Sequence, residues 1–337
     1  MKRIIYTIIA ISLAYTVQAQ YAMLHGTGGV QVFEGIAALS SAYDASAEGD
    51  TIYLSGGGFT APATFNKSLI IFGVGHYADY TANKTKTIIS GTVNLSENAD
   101  NFRMEGVEIA GSIYFGTDEG IDNVLIRYCT IKDDINVRGT SGTNPSHNLA
   151  IVNCVVNREI LLDNAVNTVV NNSIVIDQIK NSYGNTIANN ILMFNYTGVG
   201  SSYSIHGDNN ICNNNIFLQS GSKCVTGTSN QIHNNLFVHA SPSLGTSPVS
   251  SGNYTGIAHE TIFVNQSGYA FSYEHDYNLD APGTYPGVDG SQVGIYGGGF
   301  PYKEGAIPSN PHFESVDISS TTTPDGKLHI EIKATAQ

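Results

Sequence analysis

Positive charge is scarce in this chain. Fifteen lysines and arginines stand against 28 aspartates and glutamates, a formal balance of −13. A surface of that sign repels a phosphate backbone, which argues against nucleic acid as a partner. Tryptophan is absent and only 13% of residues are charged, yet 41% are hydrophobic, so the shortage of charge is not that of a disordered segment. No apolar run after residue 20 is long enough for a membrane helix, so no span is expected. The four cysteines show no Cys/His spacing of the kind that holds zinc.

One apolar run stands at the start. "IIYTIIAISLAY" follows Lys2 and Arg3, is short for a bilayer, and is followed by "VQA" with small residues at Val17 and Ala19. This predicts a signal peptide over 1–19 and cleavage before Gln20. No cysteine follows the site, which argues against a lipid anchor. The expected location is periplasmic, outer-membrane-associated or extracellular. Losing Lys2 and Arg3 would take the balance from −13 to −15.

Asparagine is abundant where it is least expected, beside isoleucine and phenylalanine. The unit N-x-[VI]-x-N-N-x-[IF] occurs as "NTVVNNSI" from Asn167, "NTIANNIL" from Asn185 with leucine closing it, "NNICNNNI" from Asn209 and "NQIHNNLF" from Asn230. The apolar pair alone extends the frame upstream to Met104/Ile109, Ile126/Ile131 and Ile151/Val156. Each unit reads as strand, bend, strand. One turn cannot bury its apolar side, but turns stacked about 4.8 Å apart share a continuous core. Asparagine tolerates the left-handed backbone of a bend, and its amide both donates and accepts. The alignment therefore predicts a structural ladder of Asn153, Asn171, Asn189, Asn213 and Asn234, with Asn172, Asn190, Asn214 and Asn235 as a second column.

On these units the chain resembles the right-handed parallel β-helix family, the pectate-lyase-like superfold. "FEGIAALSSAYDASAEGDTIYLSGGGF" resembles that family's N-terminal entrance, with Phe33, Ile36, Ala37 and Tyr43 at helical spacing over the open core. "FVNQSGYAFSYEHDYNLDAPG" and "VGIYGGGFPY" resemble the closing segment of secreted β-helix proteins of the Bacteroidetes type. The resemblance implies an all-β solenoid: cap over 20–50, coils over 51–265, then a closing coil and C-terminal β-segment over 266–337. In the tail, "KLHIEIKAT" alternates as a half-buried strand.

The family's enzymes supply a template for chemistry. Their lyases carry a calcium-binding carboxylate cluster beside a basic residue; their hydrolases carry Asn-Thr-Asp, Asp-Asp, Gly-His-Gly and Arg-Ile-Lys. Here Lys132-Asp133-Asp134 has no Gly-His-Gly after it, and Gln178-Ile179-Lys180 lacks the arginine. The hydrolase series is broken. Counting three places past the second apolar position gives Asp134, Glu159 and Asp177, then Asn195 and Gln219. Adjacent carboxylates at that spacing repel by about 3 kcal/mol at an effective dielectric near 20. They point to a calcium site, a glycan contact or a solvated acidic face, with Lys132 as the candidate base. "YAFSYEHDY" places Tyr269, Tyr273 and Tyr277 on one face of an extended segment, for sugar stacking or for sealing the last coil. Cys129 and Cys154 occupy equivalent places in neighbouring turns, within disulfide range, or pack as reduced thiols.

The resulting expectation is an exported, non-enzymatic module that binds a polysaccharide or a cell-surface protein. A calcium-dependent polysaccharide lyase and a structural subunit of an outer-membrane or cell-surface complex are the alternatives.

Overall fold

The computed structural model describes residues 20–81, 85–196, 198, 200, 202–308, 312–318, 321 and 325–335. The predicted signal peptide, 1–19, lies outside the described residues. The fold is a parallel β-helix solenoid. Three sheets of 12, 10 and 8 strands run along it, and eight successive coils add one strand to each. A representative coil passes through Leu125–Arg127 in the first sheet, Thr130–Ile131 in the second and Ile135–Val137 in the third. Strand alternation sends Ile126, Ile131, Ile135 and Val137 into a shared core that has at most 1% exposure at these positions.

Short strands need sharp corners. Every first-sheet strand from Arg103–Glu105 onward is bracketed by two positions in the left-handed region, which asparagine and glycine occupy at least strain. The entry corners are Asn101, Asn123, Asn148, Asn167, Gly184, Asn209, Ser229 and Ser247; the exit corners are Gly106, Tyr128, Asn153, Asn172, Asn189, Asn214, Asn234 and Gly252.

The register corrects the expected ladder. Val169 pairs with Thr186, Thr186 with Ile211 and Ile211 with Gln231. Asn171 and Asn213 therefore stand one place early, at the outward-facing ends of their strands. The exit column is Asn153, Asn172, Asn189, Asn214 and Asn234. The slip arises because the units from Asn167 and Asn209 begin on an entry corner, whereas those from Asn185 and Asn230 begin one residue later, inside the coil. The buried column lies one step beyond the exit corner. There Asn190 N–H donates to Asn215 Oδ1 at 3.0 Å, Asn215 N–H to Asn235 Oδ1 at 2.9 Å and Asn235 N–H to Asn253 Oδ1 at 2.9 Å. A parallel column joins Asn185, Asn210 and Asn230 at 3.1 and 2.9 Å. Each amide satisfies a main-chain group that the corner would strand.

The N-terminal end is closed by a hairpin and a helix. Strand β1 (Tyr21–Gly26) pairs antiparallel with β2 (Gly29–Glu34) and with β3 (Thr51–Leu54), the first coil strand. Helix α1 (Ala38–Ala45) buries Ala38, Leu39, Ala42 and Tyr43 against the core. Phe33 belongs to β2, and Ile36, expected inward, is 60% exposed because the helix starts after it.

At the other end the last coil, Leu244–Thr255, is polar and mostly exposed, as a terminal solenoid coil must be. The segment after it, whose Tyr285 ring lies 5.2 Å from that of Tyr254 in the last coil, runs along the outer face of the second sheet. There Ile174, Ile191, Ile216 and Leu236 face outward and are covered by Ile262, Val293, Ile295 and Tyr302, forming a second core. Residues 286–308 make a strap along the exit column, finishing where Pro308 lies against Gly106. A Cβ at Gly106 would stand 2.3 Å from the Pro308 ring, and φ there is +69°, so only glycine fits. The tail ends in an antiparallel hairpin, His312–Ile318 with Ile330–Thr335, the appendage expected from "KLHIEIKAT".

Candidate functional site

The exit column holds the strap. Asn234 donates to Pro286 O at 3.0 Å. Val288 N–H donates to Asn214 Oδ1 at 2.8 Å, and Asn172 donates to Ile295 O and Gly297 O at 2.7 and 2.8 Å. Asn153 donates to Phe300 O at 3.2 Å and accepts from Lys303 N–H at 2.8 Å. Among the non-glycine members of this column the next one, Tyr128, breaks the pattern. It holds φ +56° with a bulky aromatic side chain, a conformation that is strained by about 1 kcal/mol or more relative to asparagine or glycine.

Tyr128 lines a groove of about 380 Å³ between the coil corner and the strap. Arg127, Tyr128, Val152 and Asn153 make one wall; Phe300, Pro301, Tyr302 and Lys303 make the other. The Arg127 guanidinium is 4.9 Å and the Lys303 ammonium 5.5 Å from the Tyr128 ring centroid. Glu105, fully buried, accepts from Arg127 through both oxygens at 3.0 Å and also pairs with Arg103. Arg103, Arg127 and Lys303 thus gather around the buried Glu105 at this corner. Burial, and then the Arg127 charge, lower the pKa of Lys303, while burial raises that of Tyr128. Phe300 is 69% exposed at the rim. The groove thus combines two aromatic surfaces, two cations and an amide.

The acidic residues are arranged differently from the sequence expectation. Ile135 pairs with Ile160 and Ile160 with Ile179, so the column is Asp134, Glu159, Gln178, and Asp177 falls one place earlier beside Arg158 and Asp133. The connections are equal in length, since Ile131, Val156 and Val175 pair in the second sheet and each stands the same distance before its third-sheet strand; the slip comes from counting from Ile174, one place before Val175. Asp134 accepts from Glu159 N–H at 3.0 Å, Glu159 pairs with Lys180, and Arg158 pairs with Asp133 at 2.8 Å. Burial, then the Glu159 charge, raises the pKa of Asp177. Lys132 is turned away from this face and lies 3.6 Å from Glu108 on the second sheet, which Lys86 also contacts at 2.6 Å. Among the described residues, no three carboxylate, histidine or cysteine side chains converge as a metal would require.

The aromatic segment is bent over 268–274, so its rings do not share one face. Tyr269 is 37% exposed and lies against His259. Tyr273 reaches His76 Nδ1 at 3.0 Å and packs 4.4 Å from Tyr77. Tyr277 is buried, its hydroxyl accepting from Ser272 N–H at 3.0 Å. Tyr273, with Phe271 against Tyr77, fastens the returning segment to the loop at 73–81. His76 is fully enclosed there, and burial, with Lys132 and Lys86 nearby, lowers its pKa to about 3. Cys129 and Cys154 stack in adjacent coils as free buried thiols, and burial pushes the Cys129 thiol up.

Sequence reasoning passed over Tyr128, Arg127 and Lys303. The available signal was a tyrosine at a position where later coils carry asparagine. Comparison of the chain with protein-family models, curated proteins and solved structures found no match.

Proposed function

We propose that this protein is an exported, non-enzymatic binding module, and that its groove at Tyr128 takes a carboxylate-bearing saccharide of a surface polymer. The observation that carries this reading is the strained tyrosine. A corner that asparagine or glycine fills in the other coils holds instead an aromatic ring, with two cations near its face and an exposed phenylalanine in the same groove. Aromatic faces suit the apolar face of a pyranose, and the half-buried Lys303 ammonium, beside an Arg127 already paired with Glu105, suits its carboxylate. The acids of the third-sheet corner support the same reading, since Glu159 and Asp133 already have cationic partners and Lys132 is engaged with Glu108.

The test is a binding titration of the exported chain with pectin, alginate and neutral dextran, with unsaturated product ends assayed alongside. Saturable binding to an acidic polymer, weakened by Tyr128→Asn and without product, is expected. Calcium-dependent release of unsaturated ends, abolished by Lys132→Ala, would establish the lyase alternative. Binding to no saccharide, with co-purification in a stable assembly, would favour a structural subunit.

A further inference from the structure

Among the described residues, the N-terminal edge of the first sheet is open. β2 is the terminal strand of the 12-stranded sheet, and five of its six residues are exposed. Its sequence, GVQVFE, contains no lysine, arginine or proline, the residues that usually protect an edge. Exposed apolar side chains gather on the same hairpin: Val30 at 59%, Val32 at 58%, Tyr21 at 41% and Met23 at 38%.

The direction of the main-chain groups follows from the register. Gly26 pairs with Gly29 around a two-residue turn, and Gly35 N–H donates to Gln20 O at 2.9 Å. Odd-numbered residues of β2 therefore bond to β1, and the N–H and C=O groups of Val30, Val32 and Glu34 point to the open edge. Three donors and three acceptors in a row form a template for an added antiparallel strand.

We propose that the occupant is β2 of a second copy, joined across a two-fold axis at Val32. This register sets Val32 opposite Val32, Val30 opposite Glu34 and Gln31 opposite Phe33. All three outward-pointing residues of each copy are used, and side chains facing each other lie on matching faces of the sheet. Glu34 is the strand's only ionisable residue, and the axis places it opposite a valine, so like charges do not oppose each other. The contact is isologous and closes at two copies. It joins two solenoids head to head and makes the first sheet continuous through both.

Sedimentation velocity of the exported chain between micromolar and hundred-micromolar concentration tests this. The expected result is a concentration-dependent dimer. Val32→Lys, which sets two ammonium groups on the axis without disturbing the β1 ladder, should weaken association at least tenfold. Oxidation of Val32→Cys should give a covalent dimer, and Val30→Cys should not, because Val30 does not face itself. A chain that stays monomeric throughout would overturn the proposal. So would a dimer unaffected by Val32→Lys, or equal cross-linking of the two cysteine variants.

Discussion

Two asparagine columns run side by side through the same coils and do opposite work. The buried column at Asn190, Asn215 and Asn235 bonds coil to coil and to main chain, and holds the stack. The exit column one residue earlier, at Asn153, Asn172, Asn214 and Asn234, bonds mainly to the returning strap. Residue type is the same; the difference is which way the corner turns the side chain. A solenoid can therefore vary its exit corners without unstacking its coils, and the exit corner at Tyr128 is where this chain has done so.

The largest effect should come from the buried column. Asn215 is fully buried and donates to Ile187 O and Asn235 Oδ1 while accepting from Asn190 N–H. Asn215→Leu strands several of these groups, and each buried unpaired group costs about 1–3 kcal/mol, so a loss of about 3–5 kcal/mol is expected in denaturant unfolding. Asn213→Leu, two residues away but on the outward face, should change stability by less than about 1 kcal/mol. Equal losses would mean that the columns have been misplaced.

The anchor of the returning segment at His76, which Tyr273 reaches, gives a pH test. Its folded pKa is about 3 and its ordinary value 6.5, so the unfolded chain binds the proton more readily. The stability this group contributes is present above pH 6.5 and is lost as pH falls toward 3. At pH 4 the loss is about 3 kcal/mol. Unfolding at pH 7 and pH 4, wild type against His76→Gln, isolates it, because the variant should lack that part of the dependence.

Asn172→Gly keeps the left-handed corner but removes two bonds to the strap. A loss of about 1–3 kcal/mol is expected, with hydrogen exchange accelerated at 295–302 and unchanged at Asn190 and Asn215. Acceleration throughout the coils would show that the exit column also holds the stack.

The sequence made the solenoid legible because its signal is local. Apolar pairs recur five apart, and asparagines mark the bends between them. The coil start at Thr51 and the tail strand Ile330–Thr335 were legible for the same reason. Register was harder: an entry-corner asparagine such as Asn167 resembles the buried one at Asn185, and one unit of slip moved Asn171, Asn213 and Asp177 into neighbouring columns. The path of residues 286–308 was not legible, because the apolar outer face at Ile174, Ile191 and Ile216 is shared between second-sheet strands and a partner far away in sequence. The groove depends on that path, so Lys303 and Phe300 had no visible link to Tyr128.

Tyr128→Asn tests the central claim most directly. Asparagine relieves the strained corner by about 1 kcal/mol, and losing the contacts with Arg127 and Lys303 costs a similar amount, so stability should stay within about 1 kcal/mol of wild type. Affinity for the acidic polymer, measured by titration on the same preparation, should fall at least tenfold. A variant that is destabilised by more than about 2 kcal/mol yet binds as wild type would contradict the account, because the tyrosine would then belong to the stack and not to a binding site.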